Sequence, residues 1–309
     1  MKLLLALAFS AQAAWFGAGA PTIEEPRRLF EAGQYKEVVG RLSGTEIGRM
    51  RVPDQKQAYL YLGMSHERLG AMGTALGVYQ LGAKLFPKDL NILTQLAMVL
   101  HHTDLEESAR PVFEKVLSIH PNNAVANLGL AEIDYALGFL DRSAEHYDKA
   151  LETMADNPAV WRDYATVLLG LRDFRTAELA ARRSAMLQEK PETLWVQARA
   201  QRGDKRLGEA LLTLARVVEL APGEDRYALA LALWRLEDQD FDGALKLVEK
   251  PLKAENPSPL AFWVRARVRL KRGLLAQALE DLRAAASDER AAPFVAAAAN
   301  DLLRRLELP

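Results

Sequence analysis

The stretch that decides the fold runs from Lys56 to Asn123. Its first half reads KQAYLYLGMSHERLGAMGTALGVYQLGAKLFPKD (56–89) and its second LNILTQLAMVLHHTDLEESARPVFEKVLSIHPNN (90–123). Laid over each other, the two halves align Tyr59 with Leu93, Leu62 with Leu96, Gly63 with Ala97, Gly70 with Asp104, Ala75 with Ala109, Tyr79 with Phe113 and Pro87 with Pro121. Apolar residues recur at helical spacing on both sides of Gly70 and of Asp104, so each half encodes two helices joined by a turn. A glycine suits that turn because the residue after a helix end often needs positive φ.

Extended outward, the same grid places turns at Gly70, Asp104, Gly138, Arg172, Arg206, Asp240 and Gly273, with spacings of 34, 34, 34, 34, 34 and 33. A fixed period of this length is the mark of a repeat architecture. A small residue follows each turn (Ala75, Ala109, Ser143, Ala177, Ala210, Ala244, Ala278) and lets paired helices approach closely. Four positions on, Tyr79, Phe113, Tyr147, Ala181, Leu214, Val248 and Leu282 fill the space between them. Pro87, Pro121 and Pro222 lack a backbone N–H and stop the second helix, with Pro158, Pro191 and Pro257 near the equivalent place elsewhere.

These units resemble tetratricopeptide repeats, most clearly at 56–89. The resemblance covers about residues 56 to 290 as seven units, 56–89, 90–123, 124–157, 158–190, 191–224, 225–258 and 259–290. Ala155 replaces the expected proline, Ala181 takes a large position, and Trp195 and Trp263 stand one place late. Upstream, residues 24–53 read as a diverged helix pair with Gly33 at its turn and an exit loop from Gly44 to Pro53. Residues 291–309 read as a capping helix with Phe294, Val295, Leu302, Leu303 and Leu306 on one stripe, since a terminal repeat needs a polar outer face. The implied fold is all-α: a right-handed superhelical solenoid of about eight helix-turn-helix repeats with a C-terminal capping helix.

The N-terminus carries a different message. Lys2, the apolar run Leu3 to Phe9 and the triplet Ala11-Gln12-Ala13 compose a secretory signal, with cleavage expected after Ala13. That places a bacterial chain outside the cytoplasm, in the periplasm. The alternative is an uncleaved inner-membrane anchor, because Leu3 to Ala20 approaches the roughly 20 residues of a bilayer span. The sequence offers a membrane contact only in that case.

Composition removes several chemistries. With 40 basic and 41 acidic residues the net charge is −1, which lacks the footprint of a nucleic-acid binder. Residues 1–157 hold 15 basic and 19 acidic side chains and residues 158–309 hold 25 and 22, a mild split. Zero cysteines leaves no thiolate metal site, disulfide or cysteine nucleophile. Neither G-x-x-x-x-G-K-[ST] nor G-x-G-x-x-G occurs, nor G-x-S-x-G or H-E-x-x-H, so the reading assigns no catalytic residue, metal, cofactor or specific small molecule. The five histidines, all in the first half, read as polar residues of the repeat faces.

The resemblance implies that function belongs to the concave face lined by the first helix of each unit, at about its second, fifth, ninth and twelfth positions. Those positions offer Gln57, Leu60, Met64, Asn91, Thr94, Met98, His101 and Glu132 early in the chain. Later they offer Glu192, Lys271 and the expected partner-binding set Arg162, Trp195, Arg199, Arg202, Arg226, Trp263 and Arg267. Two Trp/Arg pairs 68 residues apart suit an acidic or C-terminal peptide, because arginine binds carboxylates in paired hydrogen bonds and both residues anchor interfaces. A register slip of one would instead move both indoles into the core. The paired Lys and Asn of chaperone-binding members are not reproduced. The expected molecule is a non-catalytic scaffold holding a protein or peptide, in cell-envelope assembly; the alternative is an accessory subunit of an envelope enzyme.

Overall fold

In the computed structural model, which describes residues 20–42 and 44–307, four glycines (Gly33, Gly70, Gly138, Gly273) and four other residues (Asp104, Arg172, Lys205, Gln239) have positive φ. Each joins two helices, and all 18 helices of the described residues are α, in consecutive packed pairs. The expected signal segment lies outside the described residues.

The helices form two compact units, one ending at Thr153 and the other beginning at Met154. In the first unit α1 (Glu24–Glu31) and α2 (Tyr35–Arg41) make a short pair, followed by α3 (Gly44–Arg49), α4 (Val52–Arg68), α5 (Met72–Leu85), α6 (Leu90–His102), α7 (Glu106–Ile119), α8 (Ala124–Ala136) and α9 (Leu140–Leu151). The exit loop expected at 44–53 is thus corrected to a further helix, because Ile47 and Met50 bury against the core formed by Val38, Leu42 and Tyr59.

The second unit contains α10 (Pro158–Gly170), α11 (Phe174–Leu187), α12 (Pro191–Gly203), α13 (Leu207–Leu220), α14 (Asp225–Glu237), α15 (Phe241–Lys253), α16 (Pro259–Lys271), α17 (Leu275–Ser287) and α18 (Pro293–Glu307). Pro158, Pro191 and Pro259 open α10, α12 and α16, where a missing N–H costs nothing. Pro158 and Pro191 therefore start a helix rather than close the preceding unit. In α18, Val295 and Ala299 bury while Leu302, Leu303 and Leu306 pack beside them. Phe294, expected on that stripe, is 59% exposed, because it lies one residue off the buried face.

The left-handed residues correct the register of the later units. The turns fall at Lys205 and Gln239, not at Arg206 and Asp240. The one-residue deletion in the period therefore lies between α11 and α12, whose connection is only residues 188–190. Counted from the corrected turn, the small residue is always five positions on and the large one nine. All seven small ones are fully buried: Ala75, Ala109, Ser143, Ala177, Ala210, Ala244 and Ala278.

Three buried carboxylates bridge the helices. Asp134 is met by Arg110 and Arg142, Glu178 by Arg182 and Arg206, and Asp281 by Arg265 and Arg269. Burial pushes the Glu178 carboxyl up, but hydrogen bonds from Arg206 and Gln201 outweigh it and hold the group below the usual range.

Candidate partner-binding face

The first helices of the second unit present their side chains in rows fixed by the turn. Ten residues before each left-handed residue stand Arg162, Trp195, Leu229 and Trp263; six before stand Thr166, Arg199, Leu233 and Arg267. A shared row means a shared face, because positions one helical repeat apart in successive units are structurally equivalent. The row explains why both tryptophans stand one place after the position used by Tyr59. They do not occupy the interhelical position, which Leu194 fills in α12 at 7% exposure.

Between α12 and α14 the half-buried Trp195 stacks on Trp234, with ring centres 5.6 Å apart and planes at 19°. It also tilts against Tyr227 at 5.8 Å. Three arginines lie over these rings: Arg199 over Trp195 at 5.9 Å, Arg202 over Trp234 at 5.0 Å and Arg226 over Tyr227 at 4.6 Å. Aromatic faces attract cations through their quadrupole, so the rings fix the guanidinium groups in place. Burial pushes the Tyr227 hydroxyl up, and Arg226 Nη2 donates to its oxygen at 3.0 Å.

The arginines differ in what else they touch. Arg202 pairs with Glu237 at 2.7 Å and Arg226 with Glu224 at 3.3 Å. Arg162, half-buried, pairs with its neighbour Asp163 at 2.8 Å. Arg199 is exposed and meets no carboxylate among the described residues. Its donors are therefore open to an acceptor from outside.

Trp263 sits half-buried between two cores, with Arg267 over its ring at 5.2 Å. It does not join the Trp195 cluster. Beside it, a depression of about 530 Å³ is lined by Leu236, Gln239, Phe241, Arg267, Leu270 and Lys271. Sequence reading missed Trp234, Tyr227 and Phe241. Trp234 does carry a signal: it stands in a row otherwise held by Ser65, Val99, Ile133, Val167, Ala200 and Val268, so an indole there has to project toward a neighbouring helix.

The first unit has a different face. Met64 and Met98 share its six-before row with Glu132, and together with Glu67, Arg68, Met72 and Gln95 the two methionines line a depression of about 410 Å³. His101 Nε2 lies 2.9 Å from Glu132 Oε2, and this hydrogen bond raises the histidine above its ordinary value against the opposing effect of burial. Gln57 and Asn91 are exposed at the edge of the same face, while Thr94 is buried. Among the described residues no three His, Asp or Glu side chains are placed to hold a metal ion, and no helix is long and apolar enough to cross a membrane.

Residues 106–161 match the family model of the tetratricopeptide repeat. No curated protein matches the sequence. Among solved structures, a tetratricopeptide repeat protein from Parabacteroides merdae ATCC 43184 is similar at a TM-score of 0.54 and 14% identity, covering 82% of this chain and 99% of that one. YrrB, described as a tetratricopeptide repeat protein with an unusual peptide-binding site, is similar at 0.55 and 20% identity over 60% and 97% of the two chains. The Cut9–Hcn1 assembly of the APC/C is similar at 0.53 and 15%, over 89% of this chain and 53% of that one.

Proposed function

From the premise that this is a tetratricopeptide-repeat protein, we propose that it is a non-catalytic scaffold whose second unit holds a peptide or partner protein on its first-helix face. The observation that carries the reading is the Trp195–Trp234–Tyr227 cluster with Arg199 fixed over it and lacking a carboxylate partner. Aromatic anchors beside an arginine are the composition of interface hot spots, and Arg favours acidic side chains or a chain-terminal carboxylate. YrrB, similar in fold, is described as having a peptide-binding site, which fits the same use of the architecture. A site of this kind on a stable complex buries about 1,200 to 2,000 Å².

The N-terminal pattern from Lys2 to Ala13 supports export of the chain and work in assembling a cell-envelope complex in the periplasm. Retention of that segment would make it an inner-membrane-tethered scaffold, and N-terminal sequencing of the protein from its native host decides between the two. An accessory subunit of an envelope enzyme is the neighbouring reading.

Titrating the purified chain with acidic peptides while following tryptophan fluorescence tests the face directly. Arg199→Gln weakens binding by about tenfold, the worth of one charge-assisted hydrogen bond, with unfolding unchanged. Trp195→Ala weakens it further. If Trp195→Ala and Arg199→Gln only destabilise the fold and leave binding intact, the cluster is core packing and the reading fails.

A further inference from the structure

The three most exposed large apolar side chains among the described residues are Met186 at 79%, Leu212 at 76% and Leu179 at 66%. All three lie on the second helices α11 and α13, not on the first-helix rows that carry Trp195 and Arg199. Leu179 and Leu212 each stand seven residues after a left-handed residue, so they hold equivalent places in successive pairs. The exposed residues of α11 are Arg175, Leu179, Arg182, Arg183 and Met186, at spacings that put them on one stripe of the helix. No acid is among them, because Glu178, the only carboxylate of α11, is buried. Other second helices expose acids in these rows: Glu107, Asp141 and Asp242 where α11 has Arg175, and Glu114, Asp148 and Glu249 where it has Arg182. Glu145 and Glu280 take the place of Leu179. The outer stripe of α11 is thus reversed in charge and carries apolar side chains in addition. Its arginines are only lightly engaged: Arg175 reaches Asp204 at 3.7 Å, Arg182 shares Glu178 with Arg206, and Arg183 meets no carboxylate among the described residues.

We propose that the outer stripe of α11, together with Leu212 of α13, is a contact for an anionic membrane surface. Its arginines meet phospholipid headgroups, and Leu179, Met186 and Leu212 enter the boundary between headgroups and acyl chains. Charge complementarity selects an anionic occupant, and the side-chain types select lipid over protein. Protein hot spots are built on Trp and Tyr set in pockets, whereas this stripe exposes no aromatic residue and its aliphatic side chains project singly, with Arg182 and Arg183 between Leu179 and Met186. A lipid surface requires no matching shape, and guanidinium groups take its phosphates in paired hydrogen bonds. The inference stands apart from the peptide-holding face, which uses the first helices.

The test floats the full chain with vesicles of phosphatidylcholine alone or of phosphatidylcholine with phosphatidylglycerol. Tighter binding to the phosphatidylglycerol vesicles is expected, weakening as salt rises. Each arginine at an anionic surface contributes about fivefold, so Arg175→Gln with Arg183→Gln lowers that binding about 25-fold, while Arg175→Lys with Arg183→Lys keeps most of it. Leu179→Gln with Met186→Gln lowers it about tenfold. All four side chains are exposed, so the fold survives these changes, and the apolar run Leu3 to Phe9 is the same in every chain compared. The chain has no cysteine, so Met186→Cys carries one polarity-sensitive dye, whose emission shifts to the blue on phosphatidylglycerol vesicles. The same dye on Ser118→Cys, the equivalent row of α7, does not shift. No preference for phosphatidylglycerol, or a preference that persists in the Arg175→Gln, Arg183→Gln chain, overturns the proposal. Self-association or capture of an acidic protein that these substitutions abolish while vesicle binding stays unchanged makes α11 a protein interface and overturns it equally.

Discussion

Gly63→Ala is the substitution whose effect the packing specifies most closely. Gly63 lies seven residues before its turn, in the row held elsewhere by Ala97, Ala131, Ala165, Ala198, Ala232 and Ala266, all fully buried. A Cβ added at Gly63 would lie 2.9 Å from Tyr79 Cδ1 and closer still to Cε1 and Cζ, whereas ordinary contact begins near 3.4 Å. The ring has nowhere to go: Tyr79 is fully buried and its hydroxyl donates to Glu67 at 2.5 Å. Overpacking of this kind costs about 1–3 kcal/mol, and the helix gains about 0.5–1 kcal/mol from replacing glycine, so the net loss is about 1–2 kcal/mol. The clash is specific to the Tyr79 ring as it lies here over Gly63 with its hydroxyl held by Glu67; in the equivalent pairs alanine stands opposite Phe113 (Ala97), Tyr147 (Ala131), Leu214 (Ala198) and Leu282 (Ala266). In a Tyr79→Leu background Gly63→Ala is therefore neutral or stabilising, giving a coupling of about 2 kcal/mol. Native-state hydrogen exchange of the α4 and α5 amides in the four proteins measures it. Equal costs of Gly63→Ala in both backgrounds, or no cost in the parent chain, would refute the small-against-large packing argument.

Lys205→Gly relieves a left-handed backbone at φ 63°, and is expected to raise stability by about 0.5–1 kcal/mol, read as increased protection of the α12 and α13 amides. Asp281→Ala leaves Arg265 and Arg269 without their shared acceptor; removing one member of a fully buried ion pair costs about 3–5 kcal/mol, and partial exposure of both arginines reduces this to about 2–3, read by urea unfolding. His101 is held above its ordinary value by Glu132, so its pair contributes fully below about pH 6.5 and is lost as pH rises through the folded-state value. Unfolding at pH 6 and pH 8 should therefore show a loss in the parent chain that Glu132→Gln abolishes; an identical pH dependence in both would remove this role for the pair.

The helix pairs were legible because a 34-residue period with small and large residues at fixed offsets admits few other folds. What misled was confined to places where local chemistry says little. Arg206 and Lys205 are equally poor left-handed residues by type, so only the three-residue connection at 188–190 fixes the turn at Lys205. The stretch 44–53 contains Gly44, Gly48 and Pro53 and reads as loop, yet burial of Ile47 and Met50 stabilises a helix there. On the face, period alone brought Trp195 and Arg199 together. The Trp195–Trp234 stack escaped notice because it joins residues from different rows of neighbouring units, a contact set by three-dimensional approach rather than by spacing.

The most direct test of the central claim places a photo-crosslinking phenylalanine analogue at position 199, on the first-helix face, or at position 212, on α13 and 76% exposed in the native Leu212. Each chain is irradiated with a fluorescent acidic peptide selected by the parent protein. The account predicts a peptide adduct from position 199 that excess unlabelled peptide abolishes, and none from position 212. Equal labelling at both positions, or labelling only from 212, would contradict it.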